Sequence, residues 1–156
     1  VAPPGDGLVT ASPGRALVAF AADCVPVLLA RRDGSAVAAC HAGWRGLVAG
    51  VVEGTVRALG GEVVAAVGPC AGPERYAVQA DVAGPLVARF GGDVAGGGTA
   101  DLARCAARAL HAAGVEDVES AALCTITDAG RFYSHRRDGA PGGRQGAIVF
   151  REGRGG

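Results

Sequence analysis

Residues 16–30 read Ala-Leu-Val-Ala-Phe-Ala-Ala-Asp-Cys-Val-Pro-Val-Leu-Leu-Ala, two apolar runs (Ala16–Ala22 and Val25–Ala30) divided by the polar pair Asp23-Cys24. Pro13-Gly14 stands before the first run and Asp33-Gly34 follows the second, the punctuation of short buried strands joined by turns. A third run, Ser35–Cys40, begins directly after Asp33-Gly34, a dipeptide that favours a tight hairpin. The sequence therefore predicts a sheet whose strands are interrupted, at Asp23-Cys24, by two residues able to do chemistry.

Outward from this block the periodicity changes. Across Gly46–Leu59, residues Leu47, Val51, Val52, Thr55, Val56 and Leu59 recur at helical spacing, and Gly60-Gly61 stops the pattern. Val63–Val67 reads as a further buried strand ending at Gly68-Pro69, Val78–Phe90 as a helix ended by Gly91-Gly92, and Gly96-Gly97-Gly98 as a loop. Asp101–Ala113 reads as a second strong helix, followed by a strand over Ala121–Ile126. Phe132–Ser134 and Gly146–Phe150 are expected to be closing strands around a loop, Arg136–Gln145. Hairpin-like strands mixed with helix-linked ones predict an α+β fold, a mixed sheet with helices packed on it, in one domain over residues 1–150 with a flexible tail at 151–156.

Composition narrows the function classes. Fifteen basic residues, all Arg, balance fifteen acidic ones in 156 residues, so nothing marks a polyanion-binding face and nucleic acid is not the expected partner. The apolar runs fall short of the roughly 20 residues that span a bilayer, so no membrane segment is expected. Five cysteines without paired spacing fit free thiols in a reducing compartment, the cytoplasm. There is no Met, and Val1-Ala2-Pro3-Pro4-Gly5 reads as a linker, so a further N-terminal segment is expected to precede it.

Four segments carry candidate chemistry. Cys24, beside Asp23 and Pro26, reads on its own as a small apolar filler, the common fate of a free Cys. His41-Ala42-Gly43-Trp44-Arg45-Gly46 lies between a strand and a helix, where His41 could ligate a metal or act as a base and Arg45 could fork onto phosphate; the same residues fit a core Trp with a capping His equally well. Gly68-Pro69-Cys70-Ala71-Gly72-Pro73 reads as a rigid turn. Ser134-His135-Arg136-Arg137-Asp138 fits either a self-paired solvated loop or an anion site. His111 reads as a surface residue of its helix. One Cys and one His separated by sixteen residues do not define a metal site by spacing.

Taken in order, Ala22-Asp23-Cys24-Val25-Pro26-Val27-Leu28-Leu29, His41–Gly46, Gly68–Pro73 and Phe132-Tyr133-Ser134-His135-Arg136-Arg137-Asp138-Gly139 with Gly143-Arg144-Gln145 resemble the YfiH-like laccase-domain family through nearly the whole chain. The resemblance implies a four-layer α/β/β/α fold and a catalytic zinc held by one Cys and two His. By motif, Cys24 matches the Cys ligand and His41 the second His ligand. The first His of the family lies upstream of a segment matching Gly5-Asp6-Gly7-Leu8-Val9-Thr10 and has no counterpart here, so the domain is expected to lack its N-terminal part. The family's Tyr-Glu-Val is Tyr76-Ala77-Val78.

The resemblance further implies phosphorolysis of adenosine, inosine and S-methyl-5'-thioadenosine, with adenosine deamination at the same zinc. Arg45 and Arg136 are the candidates to hold phosphate, and Ser134 and His135 to face substrate. The zinc-deaminase pattern of His-x-Glu with Pro-Cys-x-x-Cys is absent. Two other readings compete: a copper-dependent polyphenol oxidase, which three histidines serve poorly, and a non-catalytic remnant of the fold.

Overall fold

The computed structural model describes residues 5–153. Val1–Pro4 of the expected linker, and the end of the expected tail from 154 onward, lie outside the described residues. The chain forms β1 (Gly7–Thr10), β2 (Leu17–Ala21), β3 (Val25–Arg31), β4 (Val37–Ala42), α1 (Trp44–Ala49), α2 (Val51–Leu59), β5 (Val63–Val67), α3 (Ala80–Phe90), β6 (Ala95–Gly96), β7 (Thr99–Ala100), α4 (Leu102–Ala112), β8 (Asp117–Ser120), α5 (His135–Asp138) and β9 (Gln145–Val149).

A five-stranded sheet in the order β1-β4-β3-β5-β8 is antiparallel except for the β5–β8 pair, and β2 pairs antiparallel with β9 in a second, two-stranded sheet. The larger core lies between the five-stranded sheet and the helices, around Val27, Leu29, Leu47, Leu59, Leu86 and Leu110. A smaller core, Leu17, Ala19, Val37 and Ala39, joins the two sheets. Helices, five-stranded sheet and two-stranded sheet are three layers of the expected four, and the outer face of the last exposes Phe20 and Ile148. The mixed α+β architecture is the expected one.

The middle of the large sheet follows from the sequence. β3 is buried on both faces over most of its length because both layers cover it, which is why its sequence is a continuous apolar run. Gly34 closes the β3–β4 hairpin at φ 71°, where a side chain would be strained, and Asp33 Oδ1 accepts the Ser35 N–H at 2.9 Å. α4 starts where Asp101 Oδ1 accepts the Arg104 N–H at 2.8 Å, and buries Leu102, Cys105, Ala106, Ala109 and Leu110 on one stripe.

Elsewhere the structure corrects the expectation. The Gly46–Leu59 helix starts earlier, at Trp44, and is two helices: Gly50, at φ 83°, ends α1 and starts α2. The helix expected from Val78 starts at Ala80, and Gly96–Gly98 form the tip of the β6–β7 hairpin. The strand placed at Ala121–Ile126 is instead β8, Asp117–Ser120. This edge strand keeps its polar side chains in solvent, while the apolar residues after it turn away from the sheet through Ala122 at φ 50°. Phe132–Ser134 forms no strand but irregular backbone, and α5 occupies the start of the expected Arg136–Gln145 loop because Ser134 caps it. Strand β1, four residues long and only partly buried, leaves no local signature in the sequence. Arg151, read as part of the tail, is tied to Ala11 O through Nη1 at 2.7 Å.

Candidate functional site

The register of the β3–β4 pair aligns Val25 with Ala42 and Pro26 with His41. Cys24, the residue before β3, therefore faces the end of β4. The chain enters β3 through Asp23, held at φ 90°, a conformation that costs a non-glycine residue about 1–3 kcal/mol and turns the thiol off the path of β2. Pro26 is tolerated because the β5 ladder on that side begins only at Val27.

Gly43 sits where the two side chains meet. A Cβ at this residue would stand 3.1 Å from Cys24 Sγ, close enough to crowd the sulfur, and 3.8 Å from His41 Cε1, an ordinary contact, so glycine leaves the sulfur room beside the ring. The Cys24 thiol beside the ring pushes the His41 imidazole up to about 9 against the opposing effect of burial, with Asp6 adding in the same direction. The His41 Nδ1 lies 3.1 Å from Asp6 Oδ1, and its backbone N–H donates to Asp6 O at 2.7 Å.

The other cysteines separate by burial. Cys40, Cys70 and Cys105 are pushed up to about 11, 12 and 12 by burial and remain thiols at neutral pH; Cys24 and Cys124 are the partly exposed ones.

Asp23 ties a third segment to this pair. Its Oδ1 accepts the Thr125 hydroxyl at 2.7 Å and its Oδ2 accepts the Arg136 N–H at 2.7 Å, so α5 is fixed beside the Asp23-Cys24 turn. The Arg136 guanidinium donates to Ala77 O at 2.7 Å and stacks 4.7 Å from the buried Tyr76 ring. The structure thus brings Cys24, His41 and Arg136 into one region. Ser134 is buried and its hydroxyl accepts the Arg137 N–H at 3.2 Å, a capping role, while His135 is exposed at the first position of α5. Arg45 stacks over Trp44 at 4.5 Å with its residue exposed. Arg137 is a structural fork, bound to both Asp138 oxygens and to the Thr125, Ile126 and Phe132 carbonyls. His111 lies on the surface of α4, its Nδ1 2.9 Å from Val115 O.

His41 opens onto a cleft of about 410 Å³ between β1, β4 and β2, lined also by Asp6, Phe20 and Arg144, a volume within the range of small-molecule sites. A cavity of about 460 Å³ beneath α4 and β8 contains Cys70 and Cys124 but neither Cys24 nor His41. Asp6 and Arg144 lie within the Gly5–Thr10 and Gly143–Gln145 segments, where nothing local marks a role for either. Asp6 could have been noticed only by pairing Gly7 with Cys40, a long-range register that local pattern does not disclose.

Thiolate sulfur and imidazole nitrogen on adjacent strand ends are donors suited to zinc or cuprous ion. Among the described residues no group of three or more His, Cys, Asp or Glu side chains is placed to hold a metal.

Fold and site define a two-sheet α+β protein of the YfiH type with a Cys–His pair at the strand ends. Residues 2–152 match the family described as multi-copper polyphenol oxidoreductase laccase, and the chain belongs to it. It is 43% identical over 150 residues to a purine nucleoside phosphorylase of Xylella fastidiosa, covering 88% of this chain and 58% of that protein. It is 36% identical over 154 residues to the purine nucleoside phosphorylase YfiH of Escherichia coli, covering 93% of this chain and 63% of the relative. The crystal structure of Neisseria meningitidis protein NMB0706 superposes with a TM-score of 0.87 at 34% identity, over 95% of this chain and 65% of that one. The chain thus spans about three-fifths of the length of these curated relatives.

Proposed function

We propose that this chain carries part of the active site of a zinc-dependent purine nucleoside phosphorylase acting on adenosine, inosine and S-methyl-5'-thioadenosine, with adenosine deamination at the same site. The observation that carries the reading is the convergence of Cys24 and His41 over Gly43. The names of its relatives supply the substrate class, purine nucleoside and phosphate.

Cys24 and His41 would hold the zinc, and a bound zinc would lower the pKa of a coordinated water and polarise the purine. Asp23 keeps Cys24 in place and holds α5 against it through the Arg136 N–H. Arg136, anchored by Ala77 O and by Tyr76, is preorganised rather than mobile, and the exposed Arg45, stacked over Trp44, is a second guanidinium available to phosphate. Ser134 positions the α5 turn, and exposed His135 is free to meet substrate. The cleft beside His41 has room for a small ligand.

The family description favours a second reading, copper-dependent phenol oxidation. Its histidine demand is not met among the described residues, where His41, His111 and His135 stand on β4, α4 and α5. Among the described residues no helix is long and apolar enough to cross a membrane.

The test is metal analysis of the purified protein with assays of inosine and adenosine in the presence and absence of inorganic phosphate. The reading expects zinc and a phosphate-dependent release of free base. Copper-dependent phenol turnover that survives zinc removal would favour the oxidase, and neither metal nor activity would favour a non-catalytic fold.

A further inference from the structure

In the edge strand β1, Leu8 packs against the smaller core and Thr10 is buried, while Val9 is exposed and Gly7 has no side chain. The strand's placement is tightly specified. A Cβ on Gly7 would come 2.3 Å from Thr55 Oγ1 of α2, so glycine is what allows the strand to lie this close to the helix. The residue this placement delivers is Asp6. Its backbone carbonyl accepts the His41 N–H at 2.7 Å, and its carboxyl oxygen lies 3.1 Å from His41 Nδ1. One residue thus fixes both the main chain and the ring of the same histidine. Its side chain is 62% exposed, so packing does not explain the arrangement.

A neutral imidazole carries its proton on one nitrogen, and the acceptor it meets decides which. A carboxylate facing Nδ1 favours the Nδ1–H form and leaves the Nε2 lone pair free for a metal or a proton. Histidine ligands are oriented in this way by outer carboxylates in metal sites generally. We propose that Asp6 is the positioning residue of the site, setting the ring orientation and the tautomer of His41 so that Nε2 is its working nitrogen. The proposal rests on the zinc reading only for its metal consequence; the tautomer is a property of the chain itself.

The test separates the two. In a Cys24→Ala background, which removes the competing sulfur acceptor, the ¹⁵N shifts of His41 are recorded at a pH where the ring is neutral, with Asp6 intact, Asp6→Ala and Asp6→Asn. The proposal expects the Nδ1–H form with Asp6, the same form with Asp6→Asn, whose amide oxygen still accepts, and a return to Nε2–H with Asp6→Ala. With Cys24 present, Asp6→Ala should weaken zinc binding measured by calorimetry by about 10- to 100-fold. Because Asp6 is exposed, the variants should fold, which circular dichroism checks. An Nε2–H tautomer with Asp6 intact, or a tautomer unmoved by Asp6→Ala, overturns the proposal. Zinc affinity unchanged by Asp6→Ala also counts against it. A tautomer that follows Asp6 in a protein that binds no zinc supports the positioning role and removes the zinc reading instead.

Discussion

Thr125 and Asp23 stand 102 residues apart in the chain, yet the Thr125 hydroxyl donates to Asp23 Oδ1 at 2.7 Å with both residues buried. The same carboxyl group accepts the Arg136 N–H through its other oxygen. The turn that presents Cys24 is therefore held from the far end of the sequence.

Asp23→Ala should destabilise the protein by about 2–4 kcal/mol, because it leaves two donors without acceptors. Thr125→Val should cost about 1–3 kcal/mol, and the double variant less than the sum, since both changes break the same bond. Urea unfolding of the four proteins checks this. Asp23→Gly, which relieves the φ of 90°, should be milder than Asp23→Ala; equal losses would mean that the backbone carries no strain.

Gly43→Ala should leave the fold intact, since Gly43 has φ −74°, open to any residue, but should press its Cβ against Cys24 Sγ at 3.1 Å. Zinc affinity should fall by about tenfold or more, the scale seen when metal ligands are displaced from their supports. Calorimetric titration with zinc reads it, and unaltered affinity would show that the pair does not converge on one ion.

The thiols should divide two against three. Iodoacetamide near neutral pH should label Cys24 and Cys124 readily and leave Cys40, Cys70 and Cys105 unlabelled in the folded protein, as peptide mass mapping would show. These three are raised by burial to about 11, 12 and 12, above the value near 9 of an unfolded chain. Below pH 9 neither state is ionised at these sites and stability is unaffected. Between about 9 and 12 only the unfolded chain releases these protons, so stability should fall as pH rises through that window. Replacing Cys105 by Ala should flatten the decline.

Much of this arrangement was readable from local pattern, and some was not. β3, the Asp33-Gly34 hairpin and α4 were legible because burial on both faces, a turn dipeptide and a helical stripe each leave a local signature. The break at Gly50 was not, because Leu47, Val52, Val56 and Leu59 keep one apolar face across two helices. β8 was misplaced because its polar residues pair at a sheet edge while the more apolar Ala121-Ala122-Leu123 leaves the sheet. Cys24 and His41 were legible as motifs, but Asp6 and the Asp23–Thr125–Arg136 link depend on contacts across the fold.

If Arg45 and Arg136 hold phosphate, Arg→Lys at both should raise the KM for phosphate by about tenfold or more with little change in the KM for nucleoside, because a lysine point charge cannot reproduce a bidentate fork. Deamination, which uses no phosphate, should be spared. Steady-state kinetics against each substrate checks this. An unchanged phosphate dependence would remove both arginines from the mechanism and direct attention to Arg144, which lines the cleft beside His41.

The most direct measurement is phosphorolysis of inosine and deamination of adenosine, assayed side by side in protein carrying Cys24→Ala or His41→Ala. If both reactions share one metal held by this pair, each substitution should abolish both activities together and lower the bound zinc in parallel, while circular dichroism shows the fold retained. Either activity persisting at a near-normal rate in either variant would contradict the shared site.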